Sequence, residues 1–175
     1  ADDRATGLPV PLGPARREGD VGSLDSYYIR REVGSGGMGV VFEAFDPNLT
    51  RPVAIKLLRP ERTDQAARAR FVREAQAAAR LKHENIVTVY AVVNPQDSPP
   101  YFVMEFVAGP TLRERIDRET RLDPREAAEL CVQIADGLAA AHDAGLVHRD
   151  VKPSNVLMEG FRVQGSGFRD RFPEP

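Results

Sequence analysis

The stretch GSGGMGVVFEAF, residues 34–45, decides the fold. Its glycines at 34, 36 and 39 keep the spacing G-x-G-x-x-G. Without side chains, the backbone N–H groups of such a loop can approach phosphate oxygens closely. A dinucleotide-binding turn with this spacing leads from a strand into a helix. Here the loop leads into VVFEAF, which alternates with the period of a strand, and it follows the β-rich run YYIRREVG. The pattern is therefore a glycine hairpin. Such a hairpin can cover a nucleotide or be a plain turn, and the spacing alone leaves both open.

Working outward, RPVAIKLL (51–58) reads as a third strand, with Pro52 tolerated near its start and Lys56 near its end. Residues 64–82 read as a helix with Asp64 as N-cap and Phe71, Ala75, Ala78 and Leu81/Lys82 along one face. Glu74 lies on this helix, where a solvated carboxylate is the bland reading and a partner for Lys56 the functional one. NIVTVYAVV (85–93) and PYFVMEFV (100–107) are two more strands, separated by the turn-rich NPQDSP. After Gly109 the chain becomes helical, first in TLRERIDRE and then in residues 123–145. Asp123 caps the second helix, Pro124 opens it and Gly145 follows its end. Five strands with one inserted helix, followed by helices, make an α+β arrangement in two parts that join near residues 105–111.

Bulk properties exclude several classes. The chain has 175 residues, 42% hydrophobic and 29% charged, which suits a soluble globular domain. A net charge of −2 gives no general attraction to nucleic acid or to an anionic membrane. No apolar run has the roughly 20 residues of a membrane span, and the N-terminus lacks the apolar core of a signal peptide. Of the 24 basic residues only Lys56, Lys82 and Lys152 are lysines, a bias that a GC-rich genome explains. The single cysteine, Cys131, excludes an internal disulfide; its apolar helical setting predicts a buried residue, and a reducing, cytoplasmic location is expected. Residues 1–25, with prolines at 9, 11 and 14, are expected to be a disordered lead or linker.

HRDVKPSN, residues 148–155, concentrates the chemistry. Asp150 can accept a proton from an attacking hydroxyl. Lys152, two residues on, can offset charge on a transferred phosphoryl group. Asn155 offers a carbonyl oxygen to a hard cation such as Mg²⁺. Each residue alone would suit a polar turn, whereas the combination in eight residues points to a catalytic loop. A dinucleotide oxidoreductase gives no account of it.

The ordered set G-x-G-x-x-G-x-V, V-A-I-K, helix Glu and H-R-D-x-K-x-x-N resembles the protein-kinase signature, and in particular the eukaryotic-like bacterial serine/threonine kinases. The resemblance covers about residues 27–163. It implies a five-stranded antiparallel N-lobe with one helix (26–104), a hinge (105–110) and the first helices and catalytic loop of an incomplete C-lobe (111–163). By that resemblance Gly34, Gly36 and Gly39 would cover the phosphates of ATP. Lys56 would hold the α/β-phosphates and pair with Glu74. Met104 would be the gatekeeper, and backbone groups from Glu105 to Val107 would meet the adenine edge. Val33, Val41, Ala54 and Leu157 would sandwich the ring. Asp150 would be the catalytic base, Lys152 its assistant and Asn155 a ligand of Mg²⁺, with a protein Ser/Thr hydroxyl as acceptor. Arg149 would meet a phosphorylated activation loop. His83 and His142 carry no implied role; packing or surface suffices for them.

The pattern breaks after Asn155. Where the family has Asp-Phe-Gly, the chain reads Gly167-Phe168-Arg169. The expectation is a kinase truncated after the catalytic loop, with residues 164–175 an aberrant tail and turnover impaired. An ATP-binding, pseudokinase-like module and a non-functional frameshifted fragment are the alternatives. Gly-Phe-Arg can be written GGA TTT CGG, which one base later reads GAT TTC GG, Asp-Phe-Gly. That compatibility predicts a frameshift between about Met158 and Val163. The apolar face of the long helix (Ala127, Leu130, Cys131, Ile134, Leu138, Ala141) is expected to need cover.

Overall fold

The structure is a computed structural model, and it describes residues 12–37, 39–62 and 64–159. The described residues form six strands and three α-helices: β1 (Gly22–Leu24), β2 (Tyr27–Ser35), β3 (Gly39–Asp46), β4 (Arg51–Leu58), α1 (Gln65–Ala78), β5 (Val89–Val93), β6 (Tyr101–Glu105), α2 (Leu112–Glu119) and α3 (Pro124–Asp143). The strands make one antiparallel sheet in the order β1-β2-β3-β4-β6-β5. No helix among the described residues is long and apolar enough to cross a membrane.

The sheet has one strand more than the five expected. Residues 22–24, assigned from sequence to a structureless lead, pair with β2, and Gly13 bridges to Ser23 through two backbone bonds of 2.8 and 3.0 Å. Arg17 places its guanidinium 4.5 Å from the Tyr28 ring centre, and Leu12, Val21 and Leu24 pack on the core. Prolines and glycines hid this segment, because a strand of three residues shows no period; it folds back on β2 through the two-residue turn Asp25–Ser26. Residues 1–11 and the tail 160–175 lie outside the described residues.

The period of two explains the core. Val40, Phe42 and Ala44 of β3, Val53, Ile55 and Leu57 of β4, and Tyr101 and Val103 of β6 share one face and are fully or almost fully buried. Val41, Ala54, Lys56, Phe102 and Met104 share the other face, since Val41 pairs with Lys56, Lys56 with Phe102 and Ala54 with Met104. Helix α1 docks on that second face through Phe71, whose ring centre lies 5.3 Å from that of Phe102. Its cap is the expected Asp64, which accepts from the Ala67 N–H at 2.9 Å.

The described residues divide into two compact units, one with the sheet, α1 and residues 128–148, the other with residues 107–127 and 149–159. In the first, Gly137 is the buried residue of α3, and an added Cβ would stand 3.1 Å from the Asn85 carbonyl oxygen. His83 accepts from the Asn85 N–H through Nδ1 and meets Asp136 through Nε2 at 3.3 Å, which gives it a packing role. Cys131 is exposed, contrary to the buried position expected. It lies six residues from Gly137, about 120° around the helix from the face that makes the close approach. Gly145 ends α3 with a φ of +77°, as a C-terminal glycine should.

Candidate active site

The sheet unit carries the glycine loop. Gly36 N–H donates to Gly39 O at 2.9 Å, which closes the hairpin between β2 and β3. The loop glycines separate into two kinds. At Gly39 an added Cβ would stand 2.5 Å from the Leu57 carbonyl oxygen, so the sheet itself demands glycine there. At Gly34 and Gly36 an added Cβ would meet nothing within 4 Å, and neither has a positive φ. Neither packing nor backbone conformation accounts for these two glycines. Val33, at the end of this run, is 40% exposed.

Lys56 extends from the face of β4 opposite the core. Burial pushes its ammonium below the usual lysine range, and the Glu74 carboxylate opposes that shift. Among the described residues no direct ion pair joins the two; Lys56 Nζ lies 5.9 Å from the Phe102 ring centre. Glu74 is exposed on α1, between Phe71 and Ala75, which are buried. Ala54 is buried, whereas Val41 and Met104 are half-buried. Glu105 ends the interior strand β6, with its N–H on Thr88 O at 2.9 Å and its carboxylate accepting from Thr88 N–H.

The second unit carries the catalytic-loop sequence, held by local polar bonds. Asn155 Nδ2 donates to the Asp150 carbonyl at 2.8 Å and to its carboxylate at 3.1 Å. Lys152 Nζ sits 2.8 Å from the same carboxylate. Pro153 opens one turn of 3₁₀ helix that brings Asn155 back toward Lys152, whose carbonyl accepts the Asn155 N–H at 2.9 Å. Arg149 has a φ of +63°, a costly conformation for a non-glycine residue, immediately before Asp150. Downstream, Leu157 bridges to Thr111, Leu112 N–H donates to Val156 O and Met158 N–H donates to Pro110 O. Gly109 makes this possible, because a Cβ there would collide with the Met158 carbonyl oxygen. Val107 O accepts from the Gly109 N–H at 3.1 Å in the same turn.

The sequence pattern of the protein kinase domain matches residues 27–164. The chain belongs to the protein kinase family. It is 44% identical over 138 residues to the probable serine/threonine-protein kinase PknB of Corynebacterium glutamicum, covering 77% of this chain and 21% of that protein. It is 45% identical over 134 residues to the serine/threonine-protein kinase PrkC of Bacillus subtilis, covering 76% of this chain and 20% of that protein. The crystal structure of the PknI kinase domain of Mycobacterium tuberculosis superposes with a TM-score of 0.68 at 32% identity, covering 83% of this chain and 59% of that one. The chain thus spans about a fifth of the length of the curated relatives it matches.

In this kinase chain the fold groups the predicted residues in two sets. Gly34, Gly36, Gly39, Val33, Val41, Ala54, Lys56, Glu74, Met104 and Glu105 belong to the sheet unit, and Val107, Asp150, Lys152, Asn155 and Leu157 to the other. Sequence reading missed Arg59. Its Nε donates to Gly36 O at 3.2 Å and its Nη2 to Ser35 Oγ at 3.1 Å. No motif spacing signals it, since it stands one residue beyond a strand. The Thr111–Glu114 capping box was also missed, although its T-x-x-E pattern is visible in the sequence.

Proposed function

We propose that the chain binds ATP with Mg²⁺ and is built to transfer the γ-phosphoryl group to Ser or Thr hydroxyls of a protein, in the cytoplasm. The observation that carries this reading is the pair of glycines, 34 and 36, that packing does not require, on a loop followed by Lys56, a half-buried cation with no direct ion pair among the described residues. An anion with several oxygens would relieve the cost of burying that ammonium. In this reading Gly34, Gly36 and Gly39 cradle the phosphates, Lys56 holds them and Glu74 supports Lys56. Met104, Glu105 and Val107 line the adenine edge, with Val33, Val41, Ala54 and Leu157 against the ring.

Asp150 would take the proton of the attacking hydroxyl as its oxygen bonds to the γ-phosphorus and the bond to the leaving ADP oxygen breaks. Lys152 would offset the charge that moves onto the phosphoryl oxygens. Asn155 fits a cation ligand, because Nδ2 is committed to Asp150 and Oδ1 is the acceptor left over. Mg²⁺, when bound, supplies positive charge against the phosphates. The chain has Gly167-Phe168-Arg169 where the family has Asp-Phe-Gly, so the carboxylate ligand that motif would add to Asn155 is not at its place in the sequence. Losing one such electrostatic element lowers a rate by roughly 10²–10³. Transfer is therefore impaired while binding persists, the behaviour of a pseudokinase-like module.

The test is titration of the full chain with Mg·ATP by calorimetry, beside Lys56→Met, followed by phosphate transfer to a generic Ser/Thr protein. Binding that Lys56→Met removes, with slow transfer, is expected. No nucleotide binding by the unsubstituted chain would sink the reading. The nucleotide sequence from codon 155 onward tests the frameshift account separately: a shifted frame encoding Asp-Phe-Gly is expected there.

A further inference from the structure

We infer that Arg59 is a positioning residue that holds the glycine loop in its phosphate-receiving shape before any nucleotide arrives. This rests on the nucleotide reading above and adds to it a residue that no motif contains. The loop residues have little to fix them. Beyond the last ladder pair, Ser35 with Val40, Gly36 and Gly37 have open space around them, and ordering them costs backbone entropy. The Gly36–Gly39 bond closes the hairpin but leaves the Gly36 carbonyl and the Ser35 hydroxyl to be satisfied. Arg59 satisfies both at once, with Nε on Gly36 O and Nη2 on Ser35 Oγ.

The geometry follows from the register. Gly39 pairs with Leu58, so the residue after Leu58 emerges beside the loop. A guanidinium presents its donors in a rigid planar fork, which suits two acceptors on neighbouring residues; an ammonium is a single point of donation. The strand that carries Lys56 is therefore followed directly by the residue that fixes the loop. Lys56 and the loop glycines are referenced to one rigid element, β4. Preorganisation of this kind lowers the ordering cost of binding and acts only on ligands that use the loop.

Two measurements on the full chain test this. The first is amide exchange in the nucleotide-free protein, comparing Arg59→Ala with the unsubstituted chain. Faster exchange at Gly36, with core amides of β3 and β4 unchanged, is expected. The second is affinity for Mg·ADP and for adenosine, which lacks phosphates. Arg59→Ala should weaken Mg·ADP by roughly three- to tenfold, with adenosine changed less than about twofold. Arg59→Lys should recover only part of the loss, and Ser35→Ala should lose less than Arg59→Ala. Unchanged Gly36 exchange overturns the inference, as does an equal loss for both ligands, which would mean a merely structural residue. If the unsubstituted chain binds no nucleotide, the function proposed above fails, and the exchange measurement still decides the role of Arg59.

Discussion

Two lysines serve the proposed chemistry, and they are held in opposite ways. Lys56 projects from a strand whose other face is core; it is half-buried, makes no direct ion pair among the described residues and has its ammonium pushed down by burial. Lys152 is exposed, on a loop, and sits 2.8 Å from Asp150. The sheet region positions its side chains by register and packing, at some cost to the charge it buries. The loop region positions its side chains by hydrogen bonds among residues that water also reaches. Substitutions in the first should therefore be read out in stability, and in the second mainly in chemistry.

The largest effect should come from the core behind Lys56. Phe42 is fully buried, and Phe42→Ala should cost about 3–5 kcal/mol in denaturant unfolding of the full chain. A cost below about 1 kcal/mol would mean that the sheet is not the stabilising element. Next come the loop glycines, which separate packing from function within six residues. Gly39→Ala forces a Cβ against the Leu57 carbonyl and should cost about 2 kcal/mol or more. Gly34→Ala meets nothing and should change stability by less than about 0.5 kcal/mol while weakening Mg·ATP. Equal stability losses at the two positions would break the distinction.

Lys56 itself sharpens the comparison by a sign. Lys56→Met removes a charge that burial disfavours, so it should stabilise the chain by roughly 1 kcal/mol while abolishing nucleotide binding. The pH dependence has a definite direction. Folded Lys56 releases its proton below the ordinary 10.5, so the unfolded chain holds more protons between the lowered value and 10.5. Stability from this group accordingly rises with pH across that window, and the slope should vanish in Lys56→Met. A stability that falls with pH there, by a Lys56-dependent amount, would show that a partner holds the ammonium.

These differences also set what the sequence could reveal. Val40, Phe42, Ala44 and Val53, Ile55, Leu57 alternate along their strands, so the sheet and the side from which Lys56 projects were legible from a period of two. Asp64, Asp123 and Gly145 announced helix ends through local chemistry. The density of polar chemistry in residues 148–155 singled out that loop, but not its geometry, because the Asp150–Lys152–Asn155 bonds depend on a 3₁₀ turn and on the φ of Arg149, which no periodicity encodes. Strand β1 and Arg59 were illegible for different reasons. Arg59 is fixed by partners distant in sequence, Ser35 and Gly36, whereas β1 is a short hairpin arm folded onto Tyr27, Tyr28 and Ile29, three residues long and carrying one glycine, too short to show a period. Cys131 was misread because an apolar stripe says which face is apolar, not which part of it another element covers.

The smallest stability effect should be at the other lysine. The Lys152–Asp150 pair is exposed, and exposed pairs contribute roughly 0–1 kcal/mol after screening and side-chain entropy. Lys152→Ala should therefore leave unfolding within about 0.5 kcal/mol of the unsubstituted chain. Mg·ADP affinity should also be nearly unchanged, since Lys152 is proposed to act on the phosphoryl group in transit and not on bound diphosphate. The loss should appear only in the rate of transfer, measured as single-turnover phosphorylation with excess enzyme. A variant that unfolds more easily, or that loses Mg·ADP as Lys56→Met does, would show that Lys152 belongs with the packed lysine, and the two-mode division of this molecule would fall.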